Sequence, residues 1–265
     1  MYAAINGVRL FYTDRGKSKS PTLLLIHGFP LDHRLWDAQS AALARTMRVI
    51  APDLRGHGAS AGPAGPLTMD QHADDLAALL DHLMVQRAVV AGLSMGGYVA
   101  FAFWRRHKQR VQALALLDTR AEADSVAAKA NRDVAAARVR DVGVEVYSRE
   151  LLPRLLAPAS LADAAIFGAA LTMMAGQRVA TVVGDLHSLR DRADSRPTLP
   201  TITAPTLALV GEADALTPPT DAQTLAAAIP NARLVVIPAA GHLSPLENPK
   251  AVNAALREFV REKAT

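Results

Sequence analysis

The chain has 265 residues, 50% of them hydrophobic, with a formal net charge of +4 and no cysteine. That length suits one large core rather than two linked domains. The missing cysteines exclude disulfides, thiolate metal sites and cysteine nucleophiles and fit a reducing, cytoplasmic setting. The mildly basic balance is spread among acids, so it predicts a solvated surface and no nucleic-acid partner.

The elements follow in chain order. The start, "MYAAINGVRLFYTDRG", lacks a basic stretch followed by an apolar one, so no signal peptide is expected. It reads instead as a hairpin, Tyr2–Ile5 and Val8–Tyr12 joined by the turn signal Asn6-Gly7. Short apolar runs then recur at Thr22–Ile26, Arg48–Ala51, Ala88–Ala91, Ala113–Leu117, Thr206–Val210 and Arg233–Ile237, with helical segments between most of them. This alternation predicts a parallel sheet covered on both faces. Thr68 and Gln71 are spaced as a capping box for a helix to about Met84. Asn248-Pro249 opens a C-terminal helix running to about Glu262. No apolar run reaches the ~18–20 residues of a membrane span, so no membrane association is expected.

Between Asp118 and Thr206 the alternation stops. The stretch is rich in Ala and Arg and compatible with helices near Ala123–Arg140, Val144–Leu156, Leu161–Ala175 and Arg178–Leu189. A structureless loop of that length would be improbable. We therefore expect a helical lid over residues 121–189, inserted into an α/β core made of residues 1–120 and 190–265.

The chemistry-bearing signal is "GLSMG", Gly92 to Gly96, between a strand-like and a helix-like run. A serine on such a turn is presented at the carboxyl edge of the sheet, and glycines keep neighbouring side chains clear. The following helix aims backbone N–H groups at any oxyanion formed there. Ser94 is thus the candidate nucleophile, the competing reading being a tight turn that happens to hold a serine.

A serine hydroxyl needs a base. Of eight histidines, only His187 and His242 follow Ser94 far enough to return over the sheet in the order serine, acid, histidine. His187 falls in a lid helix, whereas His242 lies in a loop just after the last strand, so His242 is chosen. Asp214, in "GEADALTPP", is favoured as the acid, with Asp118 as its rival and Glu212 adjacent but differently directed. Asp53 is assigned to structure, pairing with Arg55 or capping the loop "DLRGHGAS". The strand ending in "IHGFP" offers the N–H of Phe29, which with that of Met95 makes a two-donor oxyanion hole; Pro30 has no N–H to offer. His27 is expected to be a polar strut between loops. Phe167, Leu171, Met173 and Met174 of the lid, with Phe29 and Met95, could line an apolar acyl pocket, although Met and Leu at helical spacing are more often ordinary core.

The ordered set "HGFP", "DLRGHGAS", "GLSMGG", "GEADALTP" and "AGHLSPLENP" resembles the α/β-hydrolase superfamily over nearly the whole chain, and within it small capped esterases and 3-oxoadipate enol-lactonases. The resemblance implies a mostly parallel eight-stranded sheet, a helical cap after the sixth strand, the triad Ser94, Asp214 and His242, and oxyanion donors at Phe29 and Met95. These motifs are poorly specific for substrate, and the leading reading of the triad is a serine carboxylesterase working through an acyl-enzyme, without metal or organic cofactor, on a small-molecule ester or lactone, with a monomer or homodimer expected. Two alternatives remain at this stage. One is an enol-lactonase, whose anionic substrate would want a lid arginine such as Arg120, Arg138, Arg149 or Arg154. The other is a low-turnover ligand-binding protein of the same fold.

Overall fold

The computed structural model describes residues 1–17, 20–62 and 67–263. Ala264 and Thr265, at the end of the expected core segment, lie outside the described residues. Eight strands form one sheet: β1 (Tyr2–Ile5), β2 (Val8–Arg15), β3 (Thr22–Ile26), β4 (Arg48–Pro52), β5 (Ala88–Leu93), β6 (Val111–Leu117), β7 (Thr206–Gly211) and β8 (Ala232–Ile237). Their order is β1-β2-β4-β3-β5-β6-β7-β8, and only β2 runs against its neighbours. This is the α/β-hydrolase architecture expected above.

The strands are continuous apolar runs because both faces of the sheet are covered. Leu24 and Ile26 of β3 enter one core cluster, while Leu23 and Leu25 enter the other. Val90 of β5 and Leu114 of β6 likewise face opposite to Ala91 and Ala115. The first face is closed by α2 (Met69–His82), α3 (Met95–His107) and α8 (Pro219–Ala228). The second is closed by α1 (Asp37–Leu43), which follows a 3-10 turn at His33–Trp36, and by α10 (Pro249–Lys263). α10 buries Val252, Leu256, Phe259 and Val260 at the spacing of one helical face. The caps read from sequence are in place: Thr68 Oγ1 accepts from Gln71 N at 3.1 Å, and Asn248 Oδ1 from Ala251 N at 3.2 Å.

Some boundaries differ from the expectation, each for a local reason. β2 continues past Tyr12 to Arg15 because Thr13–Arg15 pair with Val49–Ala51 of β4, a partner its polar sequence does not announce. Between β6 and β7 lie four helices: α4 (Val126–Leu151), α5 (Pro158–Ala162), α6 (Ala164–Ala175) and α7 (Val179–Asp191). α4 spans two expected helices, and its break is Gly143 at φ 79°. A single expected helix is split into α5 and α6 at Asp163, whose carboxylate accepts from Ala165 N (2.8 Å) and Ile166 N (3.2 Å) and so starts a new helix. α4 and α7 bury a small cluster of their own, Ala136, Val139 and Val144 against Val182, Val183 and Leu186, and Phe29 packs on its edge. Among the described residues no single helix is long and apolar enough to cross a membrane.

A buried polar joint ties α7 to the sheet. His57, in the loop after β4, places Nε2 2.7 Å from Asp185 Oδ2 on α7, and both are at most 1% exposed. The same loop receives Arg178 and Thr181 at Gly56 O (2.7 and 2.9 Å). His27, His72, Asp53 and Arg55 are the other charged or titratable groups around His57. Burial lowers the His57 pKa, but the Asp185 charge and hydrogen bond outweigh it and raise it above the ordinary value of 6.5. A raised folded pKa contributes stability that is complete below the unfolded value and is lost as pH rises through the folded value. Accordingly His57→Gln should destabilise the protein more near about pH 6 than near about pH 9, as measured by urea unfolding at the two pH values. An equal loss at both would contradict a charged His57.

Candidate active site

Ser94 sits between β5 and α3 with φ 53° and ψ −112°, a conformation L-residues rarely adopt. Strain of this kind costs on the order of 1–3 kcal/mol, so the surroundings must enforce it. They do so through backbone bonds and two glycines. Ser94 N donates to Leu117 O at 2.9 Å, and Ser94 O accepts from Gly97 N at 2.9 Å and Thr119 Oγ1 at 2.9 Å. A Cβ on Gly92 would lie 2.1 Å from Gly96 O, and one on Gly96 would lie 2.3 Å from Ile26 O. The glycines of "GLSMG" are therefore required by close backbone approach, and the sharp turn they permit lifts the serine hydroxyl into partial exposure.

Two loops from the same sheet edge meet that hydroxyl. The β8–α9 loop carries His242, where α9 is Ser244–Glu247, and the β7–α8 loop carries Asp214. Ser94 Oγ is 2.8 Å from His242 Nε2, and His242 Nδ1 is 2.8 Å from Asp214 Oδ2. Asp214 is 3% exposed and His242 2%. Oδ1 of Asp214 accepts from the N–H groups of Leu216 (2.8 Å) and Thr217 (2.9 Å), and Oδ2 also accepts from Thr217 Oγ1 at 2.6 Å. Burial opposes the carboxylate, but the His242 charge and the bonds from His242 and Thr217 hold Asp214 below the ordinary carboxylate range. An ionised Asp214 can only accept, so Nδ1 carries the imidazole proton and Nε2 turns its lone pair toward Ser94. The serine hydroxyl donates to that lone pair.

Met95 N is the first donor of α3, and Phe29 N lies just past β3. Neither has a protein acceptor in the hydrogen-bond network of the described residues. His27 is fully buried between the loops: Nε2 accepts from Leu54 N, and Nδ1–H donates to Gly28 O, both at 3.0 Å. Burial, aided by His57, lowers its pKa to about 4, so it is a neutral strut. Asp53 caps its loop by accepting from Ala59 N (2.8 Å) and from His33 N (2.8 Å). The alternative pairing with Arg55 does not occur, because Arg55 forks onto Asp75 at 2.6 and 2.7 Å. Asp118 does not reach His242 through a hydrogen bond; its oxygens are taken by Gly211 N and Ser244 Oγ. Glu212 accepts from Ala239 N. His187 opens onto a cleft of about 240 Å³ shared with Asp70, Arg105 and Arg192, whose lining does not include Ser94.

Met173 and Met174 are buried, and Phe167 and Leu171 are half-buried against the same cluster, which includes Leu93, Leu155 and Leu243 beside the site. Met173 also lines a cleft of about 320 Å³ with Arg34, Leu35 and Pro245. Phe29 and Met95 pack with the opposite face of the sheet. The ligand atoms of Asp32, His33 and Asp53 lie within 4.8 Å of one another. Arg34 already forks onto Asp32 (2.9 and 2.7 Å), and its positive charge opposes a cation there.

Three participants carry no motif of their own. Thr217 is announced only by the Asp-x-x-Thr turn spacing. Leu155 O accepts from His242 N at 2.8 Å, and Glu247 bridges Leu243 N (3.0 Å) to Ala157 N (2.8 Å). Both contacts join the histidine loop to the stretch between α4 and α5 across long sequence separations.

Residues 21–249 match the family described as the alpha/beta hydrolase fold. The chain belongs to the α/β-hydrolase family. It is 30% identical to "3-oxoadipate enol-lactonase 2" of Acinetobacter baylyi over 96% of this chain and 94% of that protein. Among solved structures, a thermophilic esterase from Thermogutta terrifontis superimposes with a TM-score of 0.95 at 40% identity, covering 100% of this chain and 99% of the other. The enol-lactonase from Burkholderia xenovorans LB400 gives a TM-score of 0.91 at 31% identity, covering 98% and 100%. These are relatives of a hydrolase family, with esterases and lactonases among them.

Proposed function

We propose that this α/β hydrolase is a serine carboxylesterase. The observation that carries the reading is the unbroken relay Ser94–His242–Asp214, with 2.8 Å at each step, at a strained elbow. Ser94 Oγ attacks the ester carbonyl carbon while His242 Nε2 takes its proton. The tetrahedral oxyanion is held by the N–H groups of Phe29 and Met95, and Asp214 stabilises the imidazolium. The intermediate collapses, the alcohol leaves with the proton from His242, and an acyl group stays on Ser94. Water, deprotonated by His242, then releases the carboxylic acid and restores the serine. No step calls for a metal or organic cofactor. Residues 121–189 act as a cap, with half-buried Phe167 and Leu171 as the cap side chains available to an apolar acyl chain.

The substrate is read as an uncharged ester. An anionic lactone would need a free cation at the site, and three of the four candidate arginines are engaged. Arg120 pairs with Asp221, Arg138 with Glu150 and Asp141, and Arg149 with Glu145. Arg154 is exposed on the surface. The second reading, an enol-lactonase, rests on the full-length likeness to such enzymes at 30% and 31% identity. A hydrolysis panel of p-nitrophenyl esters from acetate to laurate, simple lactones and carboxylate-bearing lactones separates the two. Highest kcat/KM on neutral esters supports the esterase, and highest kcat/KM on a carboxylated lactone overturns it. Turnover of none of them would leave a ligand-binding protein.

A further inference from the structure

Asp118 is a buried carboxyl that the mechanism does not use. It directly follows β6, is 0% exposed, and holds φ 46°, a left-handed conformation uncommon outside glycine. Its Oδ1 accepts from Gly211 N at 2.8 Å, the last residue of β7 and three before Asp214. Its Oδ2 accepts from Ser244 Oγ at 2.5 Å, two residues after His242. Its neighbours grip the elbow: Leu117 O receives Ser94 N, and Thr119 Oγ1 donates to Ser94 O, both at 2.9 Å. Leu117-Asp118-Thr119 is therefore bonded to the backbone of the serine turn and to both loops that bring the histidine and the acid. A residue fixed at three points in a packed edge can set the geometry of all three groups at once.

We propose that Asp118 is a positioning residue, a brace that holds the Asp214 and His242 loops in register with Ser94 by hydrogen bonding rather than by charge. Burial and the nearby charge of Asp214 push its carboxyl well above the ordinary range, which disfavours a second anion close to Asp214. An asparagine can replace both contacts, its Oδ1 accepting from Gly211 N and its Nδ2 donating to Ser244 Oγ once that hydroxyl turns from donor to acceptor. An alanine can make neither.

The proposal rests on the relay read above, so its test combines a catalytic and a non-catalytic readout. Steady-state hydrolysis of p-nitrophenyl acetate is compared for the unsubstituted protein, Asp118→Asn, Asp118→Ala, Ser244→Ala and Asp118→Ala/Ser244→Ala, each with its melting curve. The downfield proton NMR resonance of the His242 Nδ1–H, assigned by its loss in His242→Gln, is recorded for the same set. Asp118→Ala should lower kcat by roughly 10–100-fold with KM within about twofold, and should shift or broaden the resonance. Ser244→Ala should cost roughly 3–10-fold, and the double variant no more than Asp118→Ala alone, because Asp118→Ala already breaks the bond to Ser244. Asp118→Asn should stay within about threefold of the unsubstituted protein and keep the resonance.

The brace is overturned if Asp118→Ala matches the unsubstituted protein in rate and resonance, or if the two losses simply add. It is equally overturned if Asp118→Asn is as damaged as Asp118→Ala, since that would make the charge essential. If Asp118→Ala does not fold, Ser244→Ala and Asp118→Asn decide by the same criteria. If the unsubstituted protein cleaves no ester, the esterase reading fails while the resonance still judges the brace.

Discussion

Replacing Ser94 by alanine is expected to remove ester hydrolysis, by a factor on the order of 10⁶ in kcat if the serine-protease template applies. The fold should survive. The elbow is held by Ser94 N and O, bonded to Leu117 O, Gly97 N and Thr119 Oγ1, and none of these bonds uses the hydroxyl. Oγ makes one contact of consequence, the 2.8 Å bond to His242 Nε2. Removing it deletes the attacking atom and leaves the packing of Gly92 and Gly96 untouched. Circular dichroism and the melting temperature should match those of the unsubstituted protein. Turnover of Ser94→Ala above about one-hundredth of the unsubstituted rate would place the chemistry elsewhere.

Asp214→Asn is the second large effect. An asparagine in this position would offer an N–H where His242 Nδ1 now meets an acceptor 2.8 Å away. The imidazole then favours the tautomer with its proton on Nε2, facing the serine, where it cannot serve as a base. In the serine-protease template this exchange costs on the order of 10⁴ in turnover. The loop should keep its shape, because an amide oxygen can still accept from Leu216 N and Thr217 N, which now hold Oδ1 at 2.8 and 2.9 Å. Stability is a different matter. The lowered Asp214 pKa contributes stability that is complete above the unfolded carboxylate value and lost as pH falls through the folded one. The unsubstituted protein should therefore exceed Asp214→Asn in unfolding free energy most clearly near neutral pH, with the difference shrinking in acid. Asp118→Asn serves as the control. Should it be the more damaging of the two in kcat while Asp214→Asn stays active, the acid has been assigned to the wrong strand.

The parts of this site legible in the sequence are those fixed by neighbouring residues. "GLSMG" signals a turn that needs glycine, and the required clearances lie within the pentapeptide or against the adjacent strand. The runs that became β3, β5, β6 and β7 are apolar without alternation because both sides of the sheet are buried, and that pattern survives without any tertiary knowledge. His242 and Asp214 can be singled out because they follow strands and stand in order after the serine, and the structure joins the three by hydrogen bonds. What could not be read depends on contacts between distant residues. Asp118 and Ser244 are 126 positions apart, and nothing local announces the hydrogen bond between them. Asp53 and Arg55 are two residues apart and of opposite charge, yet Asp75 on α2 competes successfully for the arginine with a two-point fork. Within the insertion, the alanine-rich composition signalled helices but not their breaks, which were set by Gly143 and by the cap at Asp163.

The covalent step on Ser94 is the claim on which the rest depends, and fluorophosphonate labelling followed by peptide mass spectrometry tests it most directly. The unsubstituted protein should gain one adduct, located on the peptide that contains Ser94, at the rate at which esterase activity disappears. A protein that hydrolyses esters yet stays unlabelled, or carries its adduct on another residue while losing activity, would contradict the account.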